Sequence, residues 1–232
     1  MDKILECRGL NKAYNGFPAL NNINLSVAKG RIVGLLGPNG SGKTTLIKIL
    51  TGLLTPNTGE ILIDGKQIGP ETKSIVSYLP DHNFLAPWRT VDGMVKYFAD
   101  FYTDFDMSRA DTMLDNLGID RKAKIKTLSK GTQEKVALIL IMSRRAKLYL
   151  LDEPIAGVDP ATRDYILRTI LSNYDSDSTI IISTHLISDV EQVLSDVVMI
   201  NTGNLVVADT VDNLREKTGK SVDEYFREVF RC

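Results

Sequence analysis

The chain has 232 residues, of which 43% are hydrophobic and 25% are charged, and its formal net charge is −1. This length and balance are typical of one large globular domain. The near-neutral charge argues against a nucleic acid as a partner, because nucleic-acid-binding surfaces are usually basic.

The sequence carries no sign of secretion, membrane insertion or a cysteine framework. Met1 to Leu5 lack the basic and apolar segments of a secretory signal, and the longest apolar run, 136–142, is far shorter than the roughly 20 residues of a membrane span. The two cysteines, Cys7 and Cys232, lie at opposite ends of the chain, and we expect them to be incidental reduced thiols rather than a disulfide framework or a metal site. We therefore expect a cytoplasmic chain that reaches a membrane only through a partner.

Alternating apolar residues near the amino terminus predict strands over 3–9 and 21–27, with the turn signal Asn15-Gly16 between them. A third alternating segment, 59–65, ends in Asp-Gly, which is typical of a tight turn. We expect these strands to form a small antiparallel sheet.

A phosphate-binding loop separates the second of these strands from the third. Residues 37–44 match the pattern Gly-x-x-x-x-Gly-Lys-Ser/Thr, follow the apolar run 32–36 and precede a predicted helix over 44–53. The amino end of such a helix favours bound phosphate, the lysine reaches the β- and γ-phosphates, and the threonine can hold Mg²⁺. The candidate nucleotide-binding residues are Gly37, Pro38, Asn39, Gly40, Ser41, Gly42, Lys43, Thr44 and Thr45.

Two further apolar runs, 148–151 and 179–183, predict buried parallel strands that end in reactive residues. Because ligands bind beyond the carboxyl ends of parallel strands, we expect these ends to meet at the phosphate loop. Asp152 is a candidate ligand of Mg²⁺, and Glu153 is a candidate for orienting or deprotonating water. His185 is a candidate donor to a γ-phosphate, although a lone histidine is more often structural.

Helical periodicity recurs from residue 91 onward, over 91–101, 110–117, 132–142, 161–172, 186–194 and 222–230. The stretch 82–141 has no convincing strand, which predicts a helical insertion. Its basic run, Lys122, Lys124 and Lys126, is expected to be a solvated face.

The segment 128–133, Leu-Ser-Lys-Gly-Thr-Gln, lies just ahead of the Asp-Glu strand. It resembles the signature motif, usually Leu-Ser-Gly-Gly-Gln, of the ATP-binding subunits of ATP-binding cassette (ABC) transporters. The resemblance covers essentially the whole chain. It implies an ATPase that uses ATP and Mg²⁺, pairs with a second cassette and drives a separate membrane permease from the inner face of the cell membrane.

The implied fold is α/β: a phosphate-loop NTPase (RecA-like) core with a mostly parallel sheet, a small antiparallel β subdomain and an inserted α-helical subdomain. In a single domain, 1–81 and 142–232 would form the core with its β subdomain, and 82–141 the helical subdomain.

The resemblance also implies a role for each candidate residue. Tyr14 would stack on adenine, to which a tyrosine face is suited. The implied catalytic residues are Lys43, Glu153 and His185. The implied metal ligands are Thr44, Asp81 and Asp152. Ser129 and Gly131 would bind the nucleotide of the facing cassette, because the two cassettes of this family pair head to tail, and Asp159 would lie at the seam between them. A helix cap is the alternative for Ser129.

Three residues depart from the family pattern. Lys130 replaces one signature glycine, as in cassettes that serve a separate exporter-type permease, and Thr132 replaces the glutamine. Asp81 stands where the family has a glutamine that links the metal and the γ-phosphate to the helical subdomain. An aspartate can still be an oxygen ligand of Mg²⁺. No partner is predicted for the neighbouring His82.

Other interpretations stay open. Phe84, Leu85, Pro87 and Trp88 could form a groove for a permease helix or could pack in the core. The chain could be a non-transport cassette of DNA repair or translation, although no heptad run is present. A small-molecule kinase would not need the signature segment, and an inactive regulatory module would not need Lys43 and Glu153.

Overall fold

The structure is a computed structural model that describes residues 2–172, 174–175 and 177–230. Its strands are β1 (Lys3–Tyr14), β2 (Phe17–Ala28), β3 (Ile32–Leu36), β4 (Thr58–Ile63), β5 (Lys66–Gln67), β6 (Val76–Leu79), β7 (Leu148–Asp152), β8 (Thr179–Thr184), β9 (Asp196–Asn201) and β10 (Asn204–Thr210). Its α-helices are α1 (Lys43–Leu50), α2 (Pro70–Ser74), α3 (Val91–Phe101), α4 (Met107–Asn116), α5 (Lys130–Met142), α6 (Pro160–Ser172), α7 (Ile187–Val190), α8 (Val211–Thr218) and α9 (Val222–Phe230).

A small antiparallel sheet has the strand order β2-β1-β4-β5. The predicted hairpin turn is confirmed, since Asn15 and Gly16 have positive φ angles of 49° and 85°, as both central residues of a tight hairpin turn require. β1 and β2 are longer than predicted because irregular pairing, with several register shifts, continues to Tyr14 and Phe17.

The main sheet has the strand order β10-β9-β3-β8-β7-β6, in which only the pairing of β10 with β9 is antiparallel among the described residues. Every residue of β3, β7 and β8 is buried, which explains their continuous apolar sequences. In the register, Leu36 pairs with Thr184 and Asp152 pairs with Ser183. The carboxyl ends of these three strands are therefore level, which brings their loops together.

Helices α3, α4 and α5 occupy the predicted helical stretch, and α5 ends one residue beyond it. Val136 to Met142 are all buried, and they share one apolar core with Ile180 and Ile182 of the sheet. The helices therefore pack directly on the sheet through α5. The subdomain boundaries at 82 and 141 stay a prediction.

The apolar segment after Asp81 is divided between core and surface. Phe84 packs against the core and Leu85 is buried, whereas Pro87 and Trp88 are exposed, Trp88 by 71%. Neither interpretation of this segment therefore holds for all four residues. The lysines of the basic run 122–126 are exposed, as predicted.

The last helix of the chain packs on the core, and the first cysteine is buried. Val222 and Phe226 are buried, which confirms α9 as a closing helix. Cys7 is a buried free thiol, and Cys232 lies outside the described residues. Across the described ranges, no helix has both the length and the hydropathy to cross a membrane.

Candidate functional site

The phosphate loop is enclosed by backbone from two other segments. Gly42 has a φ of 111°, and a Cβ added to it would lie 2.5 Å from the carbonyl oxygen of Ala19 in β2. A Cβ at Gly37 would collide with the carbonyl oxygen of Ile200 in β9. The turn after β9 also donates a hydrogen bond from the Gly203 N–H to the Ser41 carbonyl oxygen at 2.9 Å. Lack of space therefore requires glycine at both of these fixed positions of the motif, and at Gly42 the left-handed backbone conformation requires it as well.

Lys43 begins α1, and its side chain is 5% exposed. Its Nζ donates hydrogen bonds to the carbonyl oxygens of Gly37 at 2.8 Å and Pro38 at 3.3 Å, and lies 3.7 Å from Glu153 Oε1. Burial lowers the pKa of the Lys43 ammonium, while the charges of Glu153 and Asp152 oppose that shift. The ammonium is thus placed inside the loop and next to an acid.

Asp152 ends β7 and is 1% exposed. Its Oδ1 accepts hydrogen bonds from Thr44 Oγ1 at 3.2 Å and from Ser183 Oγ at 2.5 Å. Its Oδ2 has no hydrogen-bond partner among the described residues. Burial raises the pKa of this carboxyl, the two hydroxyl donors lower it, and the nearby Asp81 charge raises it further.

This donor set fits Mg²⁺. The free carboxylate oxygen of Asp152, at the end of β7, and the hydroxyl of Thr44, in the first turn of α1, are hard oxygen ligands from neighbouring side chains. Within the described part of the chain, no group of three His, Cys, Asp or Glu side chains could hold a metal by itself. Mg²⁺ usually takes one or two protein ligands and fills its shell with phosphate oxygens and water.

Glu153 has a backbone conformation that non-glycine residues rarely adopt, with a φ of 50°. Its N–H donates to the carbonyl oxygen of Ser183 at 3.0 Å and to Ser183 Oγ at 3.1 Å. Its carboxylate lies 3.0 Å from His185 Nδ1 through Oε2. Lys43, Glu153 and His185 therefore form one continuous polar chain.

Asp81 lies two residues beyond β6, and its Oδ1 is 3.0 Å from His82 Nδ1. The sequence alone named no partner for His82, and the structure supplies one in its sequence neighbour, which agrees with the interpretation of His82 as a hydrogen-bonded structural histidine. Asp81, His82 and Glu153 line a cavity of about 280 Å³ whose other wall is α5, including Lys130 and Glu134. Asp81 thus faces both the Glu153 loop and the signature helix.

The signature segment begins α5. Ser129 is its N-cap and accepts a hydrogen bond from the Thr132 N–H at 3.2 Å. A Cβ at Gly131 would lie 3.3 Å from Thr162 Oγ1 and 3.6 Å from Asp159 Oδ2, so the segment adjoins the start of α6. The Lys130 side chain is 76% exposed. Ser129 therefore makes the helix-cap contacts that sequence reasoning kept as an alternative, and these contacts do not test a role toward a second cassette.

Tyr14 ends β1 with 45% of its surface exposed, and Lys12 Nζ lies 5.4 Å from the centre of its ring. Tyr14 pairs with Phe17 across the turn of the β1–β2 hairpin. In β2, the second strand of that hairpin, the carbonyl oxygen of Ala19 lies against Gly42 of the phosphate loop. The hairpin thus places an exposed aromatic ring on the strand pair that borders the phosphate loop.

Sequence reasoning missed Ser183, which is bonded to both Asp152 and Glu153. The motif order contained a clue, because Ser183 directly precedes Thr184-His185 at a strand end. Its contacts depend on the pairing of β7 with β8, which the sequence alone did not specify.

Comparison with known proteins agrees with this arrangement. A family model described as ABC transporter matches residues 20–156, more than half of the chain. The ABC transporter ATP-binding protein YtrB of Bacillus subtilis (strain 168) is 31% identical over 92% of this chain and 74% of its own length. The SkfA peptide export ATP-binding protein SkfE of the same organism is 30% identical over 99% of this chain and 96% of its own.

A solved structure described as the ATP-binding subunit of an ABC transporter has a TM-score of 0.88 to this chain. The two are 28% identical, and the match covers 98% of this chain and 99% of the other. The chain therefore belongs to the ABC transporter family, as an ATP-binding subunit whose ATP hydrolysis is coupled to transport.

Proposed function

We propose that this subunit powers an exporter: on binding MgATP it pairs head to tail with a second cassette, and the pair drives a separate permease from the cytoplasmic face of the membrane. The observation that carries this proposal is the convergence of three strand ends. Lys43 lies 3.7 Å from Glu153, Thr44 lies 3.2 Å from Asp152, and His185 lies 3.0 Å from Glu153.

Each group at this convergence has a distinct chemical task. The loop amides and the Lys43 ammonium hold the phosphates, while Thr44 and Asp152 would hold Mg²⁺, which neutralises phosphate charge when it is bound. Glu153 accepts a proton from the attacking water or orients it. His185, held by Glu153, is a donor toward the γ-phosphate, and Tyr14 stacks on adenine.

A second cassette completes the site. Ser129 and Gly131 begin α5 and contact the start of α6 in their own chain. The amino end of α5, with the exposed ammonium of Lys130 beside it, suits the γ-phosphate of a facing cassette. ATP then favours the paired state through a phosphate that ADP lacks, and hydrolysis reverses that preference.

Export is supported by two observations. The relative SkfE is described as a peptide export ATP-binding protein. Lys130 also stands in the signature, as in cassettes that serve a separate exporter-type permease. Leu53, Trp88 and Phe101 are 64%, 71% and 66% exposed, and such large apolar side chains supply surface for a permease helix.

The Asp81→Ala variant should lose about tenfold in ATP turnover, the order expected for one charge-assisted hydrogen bond. Its affinity for MgATP should change less than about twofold, because Asp81 lies outside the phosphate loop. Steady-state hydrolysis and nucleotide titration measure the two effects. His82→Ala is the matched control, since it removes the neighbouring ring and leaves the carboxylate. Equal losses of binding and turnover would argue against a role for Asp81 in the catalytic step.

Reconstitution tests the proposed function directly. The full chain is combined in proteoliposomes with a candidate permease, a multispanning membrane protein whose gene adjoins that of this chain. The permease should then stimulate ATP hydrolysis by the chain. Its substrate should move away from the compartment that contains ATP, and only when MgATP is present. A chain whose hydrolysis is the same with and without every neighbouring membrane protein would contradict the assignment to an exporter.

A further inference from the structure

Ser183 connects the two acids at the centre of the site. It lies near the carboxyl end of β8, is fully buried and pairs with Asp152 in the parallel register. Its Oγ donates to Asp152 Oδ1 at 2.5 Å and accepts from the Glu153 N–H at 3.1 Å. Its carbonyl oxygen accepts from the same N–H at 3.0 Å. The single buried hydroxyl of Ser183 therefore donates a hydrogen bond to the Asp152 carboxylate and accepts one from the backbone N–H of Glu153.

The bonds to Glu153 stabilise a strained conformation. A φ of 50° is unfavourable for a residue with a Cβ, and such conformations persist only where the surroundings hold them. Among the described residues, both hydrogen-bond acceptors of the Glu153 N–H belong to Ser183: the side-chain hydroxyl oxygen and the backbone carbonyl oxygen. In this conformation the Glu153 carboxylate lies between Lys43 and His185.

The bond to Asp152 decides which carboxylate oxygen is free. Oδ1 receives the protons of Ser183 and Thr44, whereas Oδ2 has no hydrogen-bond partner in the described residues. A buried, unpaired carboxylate oxygen is costly unless a ligand or water meets it. Ser183 thus fixes the rotation of the carboxylate so that Oδ2 is presented to a cation.

We propose that Ser183 is a positioning residue for ATP hydrolysis: it holds the Glu153 carboxylate in its place and turns the Asp152 carboxylate toward the metal. The inference rests on the proposed roles of Asp152 and Glu153. Removing a side chain that orients a metal ligand typically lowers metal affinity or activity by about 10- to 100-fold. Ser183→Ala should therefore lower kcat by about 10- to 100-fold and change the KM for ATP by less than about threefold.

A second readout does not depend on turnover. Mn²⁺ binding in the presence of ADP, followed by electron paramagnetic resonance, should be about tenfold weaker in Ser183→Ala than in the unmodified chain. Ser183→Cys keeps the volume of the side chain but is a poor hydrogen-bond donor, and it should show the same two losses. If Ser183→Ala does not fold, Ser183→Cys is measured in its place.

The matched control is Ser143→Ala. Ser143 is equally buried, and its hydroxyl donates to the Ile139 carbonyl oxygen within α5, away from the three strand ends. Its removal should leave kcat and Mn²⁺ affinity within about twofold of the unmodified chain. Losses of similar size in Ser143→Ala and Ser183→Ala would overturn the inference, because they would show a general effect of emptying a buried hydroxyl site.

Glu153→Gln separates this inference from the proposed function. If Glu153→Gln loses turnover while folded Ser183→Ala or Ser183→Cys keeps the kcat and Mn²⁺ affinity of the unmodified chain, the inference about Ser183 is wrong and the proposed function stands. If Glu153→Gln itself keeps full turnover, the proposed function fails. Losses of kcat and of Mn²⁺ affinity in both Ser183 variants, with KM nearly unchanged, support the inference.

Discussion

Glu153→Gln is expected to bind MgATP and to lose at least about 100-fold in kcat, the lower end of what a general base contributes. The amide keeps the size of the side chain and can still contact His185 and Lys43, but it cannot accept a proton from water at neutral pH. The loss should therefore fall on the chemical step, with ATP affinity within about threefold of the unmodified chain. Single-turnover hydrolysis and nucleotide titration separate the two quantities.

Glu60→Gln is the control for this prediction. Glu60 is an acid of β4 in the small antiparallel sheet, with its side chain 43% exposed, and it pairs with Arg8. Exposed ion pairs contribute little, so this variant should hydrolyse ATP at the normal rate. Undiminished turnover in Glu153→Gln would remove Glu153 from the role given to it here.

Lys43→Met should abolish measurable hydrolysis and weaken ATP binding by about 100-fold, as expected when charge-assisted hydrogen bonds to phosphate are lost. The methionine fills a similar volume, so the fold should persist. The Lys43 side chain is 5% exposed and its ammonium donates hydrogen bonds to loop carbonyl oxygens, so its loss removes positive charge from within the loop itself. Isothermal titration with ATP measures the affinity, and thermal unfolding without nucleotide checks the fold.

Lys48→Met is the matched control because Lys48 lies on the same helix, five residues further along, and is half-buried. It should bind and hydrolyse ATP normally. If Lys43→Met bound ATP as tightly as this control, the phosphate loop would not be the nucleotide site.

The parts of the fold that the sequence predicted are those in which a local pattern coincides with chemistry. β3, β7 and β8 are continuous apolar runs, and each is followed by polar residues whose types suit phosphate or metal. Such runs are buried on both faces, so their side-chain pattern does not depend on which strand lies beside them. The level carboxyl ends then follow from parallel pairing, and the convergence of Lys43, Asp152 and Glu153 could be expected.

The parts that the sequence did not predict depend on pairing or on short segments. β6 has only four residues, and β9 and β10 form a hairpin whose Thr202-Gly203 turn has positive φ angles. The apolar run 197–200 could have predicted β9 as a buried strand. In β10, exposed and half-buried residues alternate, so its sequence gives a weaker indication of a strand. The bonds of Ser183 could not be predicted, since they require the register in which Asp152 lies opposite it.

The sequence also did not predict which apolar residues after Asp81 are buried and which are exposed, because that depends on the path of a loop. Leu85 and Trp88 are both large and apolar, but one is buried beneath α3 and α5 and the other is exposed. An apolar side chain suits either position, so composition does not distinguish them. The path of the loop between β6 and α3 decides which side chain faces inward.

The molar mass of the Glu153→Gln chain in MgATP tests the central claim, which is that a terminal phosphate joins two cassettes. Light scattering at high protein concentration should give twice the monomer mass with MgATP and the monomer mass with MgADP. A monomer in both nucleotides, even with the permease present, would show that the terminal phosphate does not join two cassettes.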